Sequence, residues 1–307
     1  MARRKKGNRI NGWLILDKPL EMTSTQAVGK VRWLFQAQKA GHAGTLDPLA
    51  TGILPIALGE ATKTVSFAVD GQKAYRFAVR WGVETTTDDT EGEAVRTSEI
   101  RPALGEIEAL LPQFTGEIMQ TPPAFSAIKI GGQRAYDLAR DGEEVILEPR
   151  PAFIDMLRIV EMPDDTTTVF EAECGKGTYV RAIARDLGRK LGCFGHVTSL
   201  RRTRVGPFNE DKAITLAELV ALHDQDDGGA ELMRCLMPIE TALSDMTELN
   251  VTWPDASRLR LGQPVLIRGR DAPIMQGEVY AVCKGQLVAI GEIERGELRP
   301  TRVFNLD

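Results

Sequence analysis

The chain has 307 residues, 43% hydrophobic and 26% charged, with a formal net charge of −5. That length suffices for one large domain with a small appended one. Because no run of about 18 apolar residues exists and only a short apolar stretch follows the basic start, we expect neither a membrane span nor a signal peptide, and a cytoplasmic location. The four cysteines and three histidines show no ligand spacing, so we expect free thiols and no zinc site.

The N-terminal segment is predicted to form a strand followed by a helix. Residues 13–16 (WLIL) are typical of a buried strand, which ends before Pro19 because proline removes a backbone donor. Thr23 and Gln26 have the spacing of a capping box, and the apolar residues after them keep helical spacing to Gly41. The prediction is a helix that ends at this glycine.

The central part of the chain alternates strand and helix patterns. Residues 74–83 predict a strand in which Tyr75, Phe77, Val79 and Trp81 share one face. The acidic residues 84–93 are interpreted as a polar turn region, and 101–111 as a helix. After 120–123 (QTPP), residues 124–151 have the character of a hairpin and a short helix outside the core.

A second strand and helix follow, and with them a local excess of positive charge. Residues 169–174 alternate as a strand with one polar face, Thr178 is a candidate cap, and the next helix closes at Gly192. From Lys176 to Arg204 there are eight Lys or Arg residues and one acid. This is the pattern of an RNA-facing surface on an acidic protein, although a solvated helix face would have the same composition.

The C-terminal part is predicted to be a separate small domain. Residues around 224–229 are typical of a loop and 231–243 of a helix, and the boundary is placed within 244–250. The remaining residues alternate in short runs, as in a small β-barrel.

The motif GHAGTLDPLATGILP at 41–55 is the strongest candidate for chemistry, because glycines, prolines and small residues surround one acid, Asp47. A purely structural interpretation is that Asp47 caps a short helix with Pro48 in its first turn. The two interpretations are compatible, since a carboxylate at a helix N-terminus stays ionised.

Two further clusters carry functional and structural interpretations side by side. In 177–181 (GTYVR), Tyr179 and Arg181 could reach beyond a helix start and Arg181 could pair with Asp47, or they could be a core tyrosine and a surface arginine. The basic run from Gly195 to Arg204 could contact phosphates, or it could be a solvated loop.

Four separated motifs, LDKP (16–19), GHAGTLDPLATGILPIALGEATK (41–63), KGTYVRAIARDLG (176–188) and GHVTSLRRTRVG (195–206), closely resemble the bacterial tRNA pseudouridine synthase B family. The resemblance is strong over about 12–206 and weak beyond. It implies an α+β fold with a mixed, largely antiparallel pseudouridine synthase sheet, an inserted RNA-gripping segment at about 123–151 within a catalytic domain at 10–245, and a PUA-like domain at 246–307. Residues 1–9 form a basic tail.

The resemblance also implies isomerisation of uridine 55 in the tRNA T-loop, with no cofactor and no metal, by a monomer. The roles it implies are Asp47 as catalytic carboxylate, Tyr75 stacking on the target base, and Arg181 orienting Asp47. His42, Tyr179 and Leu200 would line the nucleotide pocket, and Lys18, Lys129, Arg201 and Arg202 would support or contact the RNA. The family usually has glycine where Glu21 stands, so the turn there is expected to differ.

Two other classes of function are compatible with parts of the sequence. A glycoside hydrolase also acts at an anomeric carbon, but it normally needs two acids that flank the bond, and no second acid shares a motif with Asp47. A tRNA-binding or folding module without catalysis would need only the basic run and the C-terminal domain. Asp47, Tyr75 and Arg181 together favour catalysis.

Overall fold

A computed structural model describes residues 7–126, 128–130, 133–135, 138, 145, 147–225, 229–267 and 276–306. The strands are β1 (Gly12–Lys18), β2 (Ala40–His42), β3 (Ala50–Leu58), β4 (Lys73–Trp81), β5 (Val83–Thr85), β6 (Ala94–Thr97), β7 (Gly116–Gln120), β8 (Lys129–Ile130), β9 (Gln133–Arg134), β10 (Arg150–Asp164), β11 (Thr167–Cys174), β12 (Gly195–Val205), β13 (Phe208–Asn209), β14 (Ile214–Thr215), β15 (Thr247–Asn250), β16 (Val265–Leu266), β17 (Gly277–Cys283), β18 (Gln286–Glu294) and β19 (Glu297–Val303). The α-helices are α1 (Ser24–Leu34), α2 (Val65–Asp70), α3 (Leu104–Leu110), α4 (Val180–Lys190), α5 (Leu216–Gln225), α6 (Ala230–Arg234) and α7 (Trp253–Arg260), and 3-10 helices cover Gly59–Lys63, Leu111–Phe114, Glu210–Lys212 and Ile239–Leu243.

The chain divides into two compact units. The first comprises Met1–Asp47, Leu54–Val69 and Gly206–Asp307, and the second comprises Pro48–Ile53 and Asp70–Val205. Strand β3 contributes its first residues to the second unit and the remainder to the first.

The second unit is built on a mixed, largely antiparallel sheet. Within it, the start of β3 pairs parallel with β12, and antiparallel pairs then follow in the order β12, β4, β11, β10 and β7. The core contains Phe77, Val79 and Trp81 from β4, and Ile183 and Leu187 from α4, with Tyr75 packed at its margin. The predicted strand and its apolar face are confirmed, because every second residue of a strand points to the same side.

Strand β11 and helix α4 confirm the second predicted strand and helix with a small shift. Burial alternates along β11, as a strand with one polar face requires. The residue that caps α4 is Tyr179 and not Thr178, whose hydroxyl instead donates to the Phe153 carbonyl at 3.4 Å. The helix end is correct, and Gly192 takes a φ of 70° just beyond it.

In the first unit, β1 pairs parallel with β14, and β2 pairs antiparallel with the second half of β3. Helix α1 has the predicted capping box, in which Thr23 accepts from the Gln26 amide at 3.1 Å and Gln26 accepts from the Thr23 amide at 2.9 Å. The helix ends at Leu34, well before Gly41, because Gln36 adopts a φ of 48° that no α-helix allows.

The C-terminal residues form a five-stranded sheet in the order β15, β17, β18, β19, β16, which is the small β fold that was predicted. The bounds of a separate domain at 246–307 stay a prediction, because the compact unit that contains this sheet also contains 1–47, 54–69 and 206–245. Helix α7 covers its core through Ala256 and Leu259 and was not predicted. Its start is local, since Pro254 lies in the first turn and the Thr252 hydroxyl accepts from the Asp255 amide at 3.3 Å. Among the described residues, no helix is long and apolar enough to cross a membrane.

Three other sequence interpretations need correction. Residues 84–93 contain turns, as predicted for a polar turn region, but Glu84, Asp88 and Asp89 within this segment are buried. The run at 195–204 is not a loop but most of β12. The predicted helix at 231–243 is divided into α6 and a 3-10 helix. In the segment at 123–151, β8 and β9 form a two-residue hairpin, while most of its predicted helix lies outside the described residues.

Candidate active site

Asp47 lies half-buried in the loop between β2 and β3. It does not cap a helix: Pro48 and Leu49 form a turn, and β3 begins at Ala50. The structural interpretation of the motif as a helix cap is therefore wrong.

The loop before Asp47 is fixed by the start of α1. The Ser24 hydroxyl accepts from the Leu46 amide and donates to the Leu46 carbonyl, both at 2.9 Å, and Ser24 is buried. Further back, the Ala43 amide donates to the Pro55 carbonyl at 2.9 Å, and Gly44 takes a φ of 89°. Because buried hydrogen bonds hold the peptide groups next to it, Asp47 has a fixed backbone position.

Lys18 stabilises the segment between β1 and α1 from inside. Its ammonium is fully buried and donates to the carbonyls of Pro19 at 2.8 Å and Met22 at 2.7 Å. This is a supporting role, and contact with substrate stays a prediction. Glu21 lies in this segment with a φ of 61°, the conformation that favours the glycine usual in the family.

His42 is the last residue of β2, opposite Ile56 of β3, and is half-buried. Its two neighbours in the motif belong to the same hairpin, since Gly41 pairs with Ala57 and Ala43 bonds to Pro55. The hairpin therefore fixes the backbone of His42 five residues before Asp47.

In the second unit, the sheet aligns Tyr75 and Leu200 with the residues that follow Asp47 in the chain. Leu200 of β12 pairs with Ala50 of β3 on one side and with Phe77 of β4 on the other. Tyr75 pairs with Arg202, and both Tyr75 and Leu200 are half-buried against the core. An aromatic ring and an aliphatic side chain thus lie on neighbouring strands at the edge of the core.

Tyr179 and Gln120 exchange two hydrogen bonds that fix the beginning of α4. The Tyr179 amide donates to Gln120 Oε1 at 2.8 Å, and Gln120 Nε2 donates to the Tyr179 carbonyl at 3.1 Å. Because Gln120 is buried, these bonds satisfy groups that would otherwise lack partners at the helix start. The next turn of the helix carries Arg181.

Arg181 is only 7% exposed and is held by three acceptors of the second unit. Its guanidinium donates to the Thr87 carbonyl at 2.9 Å, to Asp89 Oδ2 at 3.2 Å and to the Phe125 carbonyl at 2.9 Å. Asp89 is thus a partner that the sequence did not predict, because the acidic segment was interpreted only as a polar turn region. The expected pairing of Arg181 with Asp47 stays a prediction.

Arg181 and Asp89 form the first of three ion pairs between α4 and the acidic segment at 84–93. Arg185 bonds to Asp88 at 3.0 Å, and Arg189 bonds to both carboxylate oxygens of Glu84 at 2.8 Å. The sequence does carry a signal for these pairs: the arginines recur every four residues, which places them on one helix face.

The buried acids have shifted pKa values. Burial raises the pKa of Asp88 to about 6, and the charge of Arg185 opposes this only in part. Burial also acts to raise the pKa of Glu84, but its hydrogen bonds to Arg189 outweigh burial and bring the pKa below its ordinary value. The two carboxyl groups therefore respond oppositely to similar surroundings, because Glu84 has the bidentate partner.

The basic run at 201–204 is divided between the interior and the surface. Arg202 is 1% exposed and donates from Nε to the Ile53 carbonyl at 2.8 Å, which does not fit the expected surface contact with phosphate. Arg204 pairs with Glu173 at 2.5 Å, and Arg201 is half-buried. Lys129 pairs with Arg134 through the backbone in the β8–β9 hairpin, and its side chain lies outside the described residues.

Gly52 explains why Arg202 lies so deep. It takes a φ of 98°, and a Cβ atom there would lie 2.2 Å from the Arg202 carbonyl oxygen. The backbones of β3 and β12 can approach this closely only with glycine.

Among the described residues, no group of three or more His, Cys, Asp or Glu side chains could hold a metal ion, and the four cysteines are free.

Comparisons with known proteins agree with this fold. Residues 32–180 match the family model described as TruB family pseudouridylate synthase (N terminal domain), and 181–244 match tRNA pseudouridylate synthase B C-terminal domain. The chain is 60% identical to tRNA pseudouridine synthase B of Rhodopseudomonas palustris, covering 99% of this chain and 83% of that protein. It is 57% identical to the protein of the same name from Agrobacterium fabrum, covering 98% and 97%.

Solved structures show the same architecture. A Cbf5–Nop10–Gar1 complex contains a chain similar to this one, with a TM-score of 0.74 and 26% identity, over 96% of this chain and 84% of the other. A chain of an H/ACA ribonucleoprotein bound to a substrate RNA containing 2'-deoxyuridine gives a TM-score of 0.75 at 23% identity, over 99% of this chain and 92% of the other. At this identity the similarity shows the fold alone.

Proposed function

Because the chain belongs to the TruB family of pseudouridylate synthases, we propose that it modifies uridine 55 in the T-loop of tRNA, with Asp47 as the catalytic carboxylate. The family and its close relatives establish the coarser statement: the chain is an isomerase that converts uridine in tRNA to pseudouridine. The position in the tRNA and the roles of individual residues are the proposal.

The fixed position of Asp47 carries this proposal. The reaction breaks the bond from uracil N1 to ribose C1′, turns the detached ring, and joins C5 to C1′, while C5 loses a proton and N1 gains one. Nothing is oxidised and no group is transferred to another molecule, so we propose that neither a metal nor a cofactor takes part. A carboxylate on a restrained backbone can approach the sugar or the ring as nucleophile or base.

The detached uracil must be held while it turns. We assign this to Tyr75, whose ring can stack on the base, with Leu200, Tyr179 and His42 as the remaining walls of the pocket. The half-buried position of Tyr75 and Leu200 at the edge of the core supports this assignment. The target must leave the RNA stack to reach such a pocket, which costs less in a loop than in a duplex.

Arg181 is assigned to orient Asp47 and keep it ionised. The bonds to Thr87, Asp89 and Phe125 fix its guanidinium before any substrate arrives. A cation with a fixed position favours the charged form of a nearby carboxyl group without rearrangement during the reaction.

The RNA backbone is assigned to basic groups away from the chemistry. Arg201 and the segment carrying Lys129 would contact phosphates, whereas Arg202 is assigned to holding β3 against β12, because its guanidinium bonds to Ile53. We further propose that the protein acts as a monomer in the cytoplasm, where its tRNA substrate is matured.

The test is Asp47→Asn, which keeps the size of the side chain and removes the ionised acid. Turnover of unmodified tRNA should fall by on the order of 10³-fold or more, with little change in tRNA affinity or thermal unfolding. Nucleoside analysis would measure turnover, and mapping of the modified position would identify the uridine. Both are carried out in EDTA, where the wild-type protein should stay active because no metal is proposed to take part. The exposed control Asp165→Asn should behave as wild type. Near wild-type turnover by Asp47→Asn would remove Asp47 from catalysis.

A further inference from the structure

We propose that a polar pocket at the opposite end of β3 from Asp47 binds a phosphodiester segment of the same tRNA, outside the T-loop. This rests on the proposed function. Asp47 precedes β3 and Gly59 follows it, and β3 has nine residues, which extend over roughly 30 Å. A ligand in the pocket beside Gly59 is therefore distinct from the uridine at Asp47.

The pocket lies within the first unit and has a volume of about 490 Å³, within the range of small-molecule sites. Four stretches of chain line it: the N-terminal segment, the residues just before β2, the 3-10 helix after β3 and the C-terminal end. The polar and charged side chains that line it include those of Asn8, Arg9, Asn11, Lys39, Glu60 and Asn305.

The floor of the pocket is built from restrained backbone. Gly59 donates to the Lys39 carbonyl at 2.9 Å and has a φ of 55°, and a Cβ atom there would lie 2.2 Å from Asn11 Oδ1. Asn11 Oδ1 in turn accepts from the Glu60 amide at 2.8 Å. Because Gly59 leaves no room for a side chain, the pocket keeps its shape without a ligand.

The charge in the pocket is positive. Arg9 and Lys39 are exposed, and in the described part of the chain neither has an ion pair or a side-chain hydrogen bond. The Glu60 carboxylate is already engaged, by Lys63 Nζ at 2.6 Å and by the Asn305 amide at 2.8 Å. In sequence, the basic residues RRKK at 3–6 precede this segment.

This chemistry fits an RNA backbone. A guanidinium and an ammonium bind phosphate oxygens, and the side-chain amides of Asn8 and Asn305 can bond to ribose hydroxyls. Among the described residues that line the pocket, none has an aromatic ring that could stack on a base. Contacts of this kind position an RNA without reading its sequence. The same phosphate chemistry would also accept a free nucleotide, which the experiment must separate.

The experiment compares Arg9→Ala, Lys39→Ala and the double variant with Lys212→Ala, which removes one exposed positive charge far along the chain. Binding of full-length unmodified tRNA and of an isolated T-arm hairpin is titrated at several salt concentrations. Each pocket variant should weaken tRNA binding several-fold and reduce the slope of log affinity against log salt by about 0.7 to 0.9. Hairpin binding and turnover at saturating tRNA should stay at the wild-type level, as should Lys212→Ala in every measurement.

Three results with the pocket variants would overturn the proposal. The first is an unchanged salt slope, and the second is an equal loss of affinity for the hairpin and for the full tRNA. The third is that the variants lose binding of uridine 5′-monophosphate, measured by calorimetry, while their tRNA binding is unaffected. The second would place the contact in the T-arm, and the third would identify a free-nucleotide site. Asp47→Asn separates the two proposals, because it should lose turnover and keep the full salt slope. Retained turnover would count against the catalytic assignment and leave the pocket unaffected.

Discussion

Among single residues, Asp88 shows how burial and pairing compete. Its carboxyl group is 5% exposed and lies 3.0 Å from Arg185, a guanidinium that also bonds to Asp186 and to the Thr121 carbonyl. Arg185 shares its charge among several acceptors, so Asp88 gains less from it than Glu84 gains from Arg189. Burial then dominates and raises the pKa of Asp88 to about 6.

The raised pKa predicts a pH-dependent contribution to stability. Between the ordinary pKa of 3.8 and the folded value of about 6, the folded protein binds a proton that the unfolded chain has lost. The contribution favours folding below about pH 4 and is lost as the pH rises through 6. In Asp88→Asn this titration is absent. The difference in unfolding free energy between variant and wild type should therefore grow in favour of the variant from pH 4 to 7, by about 1 to 3 kcal/mol.

Urea unfolding at pH 4.5, 5.5 and 7 would measure this difference. Every other titratable group is present in both proteins and cancels in the comparison. Asp165→Asn, which removes one exposed carboxyl group, is the matched control. Parallel stability curves for Asp88→Asn and wild type would show that Asp88 is ionised throughout.

At the level of elements, local sequence patterns were sufficient to predict a strand or helix where the buried residues recur with the period of that element. Alternation identified β4 and β11, and the capping box identified the start of α1. The acidic segment at 84–93 was misassigned because its partners are remote: Arg185 is 97 residues from Asp88, and only the fold brings them together. Charged residues at such positions have the same composition as a solvated turn, so the acidic segment alone does not distinguish the two, and the only signal is the four-residue spacing of the arginines in α4.

The segment between β1 and α1 contains the one departure from the family pattern noted in the motifs, and it leads to a prediction. Glu21 is exposed and adopts a φ of 61°, which costs a residue with a Cβ atom about 1 kcal/mol. Glu21→Gly should therefore raise the free energy of unfolding by up to about 1 kcal/mol. The gain is reduced by the greater conformational entropy that glycine gives the unfolded chain. Lys18 should keep its bonds to Pro19 and Met22, because they use main-chain oxygens.

Chemical denaturation would measure the gain, with Glu108→Gly as the matched control. Glu108 is exposed in the interior of α3, where the same substitution should destabilise by about 1 kcal/mol. Destabilisation by both substitutions would mean that Glu21 contributes an interaction that outweighs its backbone strain.

For the whole molecule, the sequence motifs were sufficient for the family and the reaction, but a count of charges did not show which cations of the basic stretch are neutralised. Of the basic residues between Lys176 and Arg204, three are buried and bonded within the second unit: Arg181, Arg185 and Arg202. The unpaired cations of the proposed pocket, Arg9 and Lys39, stand far from that run in the sequence. Net charge and local runs cannot reveal this, because only the fold decides which cations are neutralised.

The C-terminal sheet is tied to the rest of the first unit by its last strand, and this leads to the final prediction. Arg302 of β19 donates to the Lys63 carbonyl at 2.8 Å and to Ser66 Oγ at 2.9 Å and lies 4.9 Å from the Phe67 ring centre, while Lys63 Nζ donates to the Val303 carbonyl at 2.7 Å. Arg302→Ala should therefore destabilise the protein by about 1 to 2 kcal/mol and increase hydrogen exchange of β19 more than of β4. Arg299→Ala on the same strand, which loses only an exposed pair with Glu297, should change neither. Equal exchange in the two variants would show that the contacts of the Arg302 side chain do not hold the C-terminal sheet.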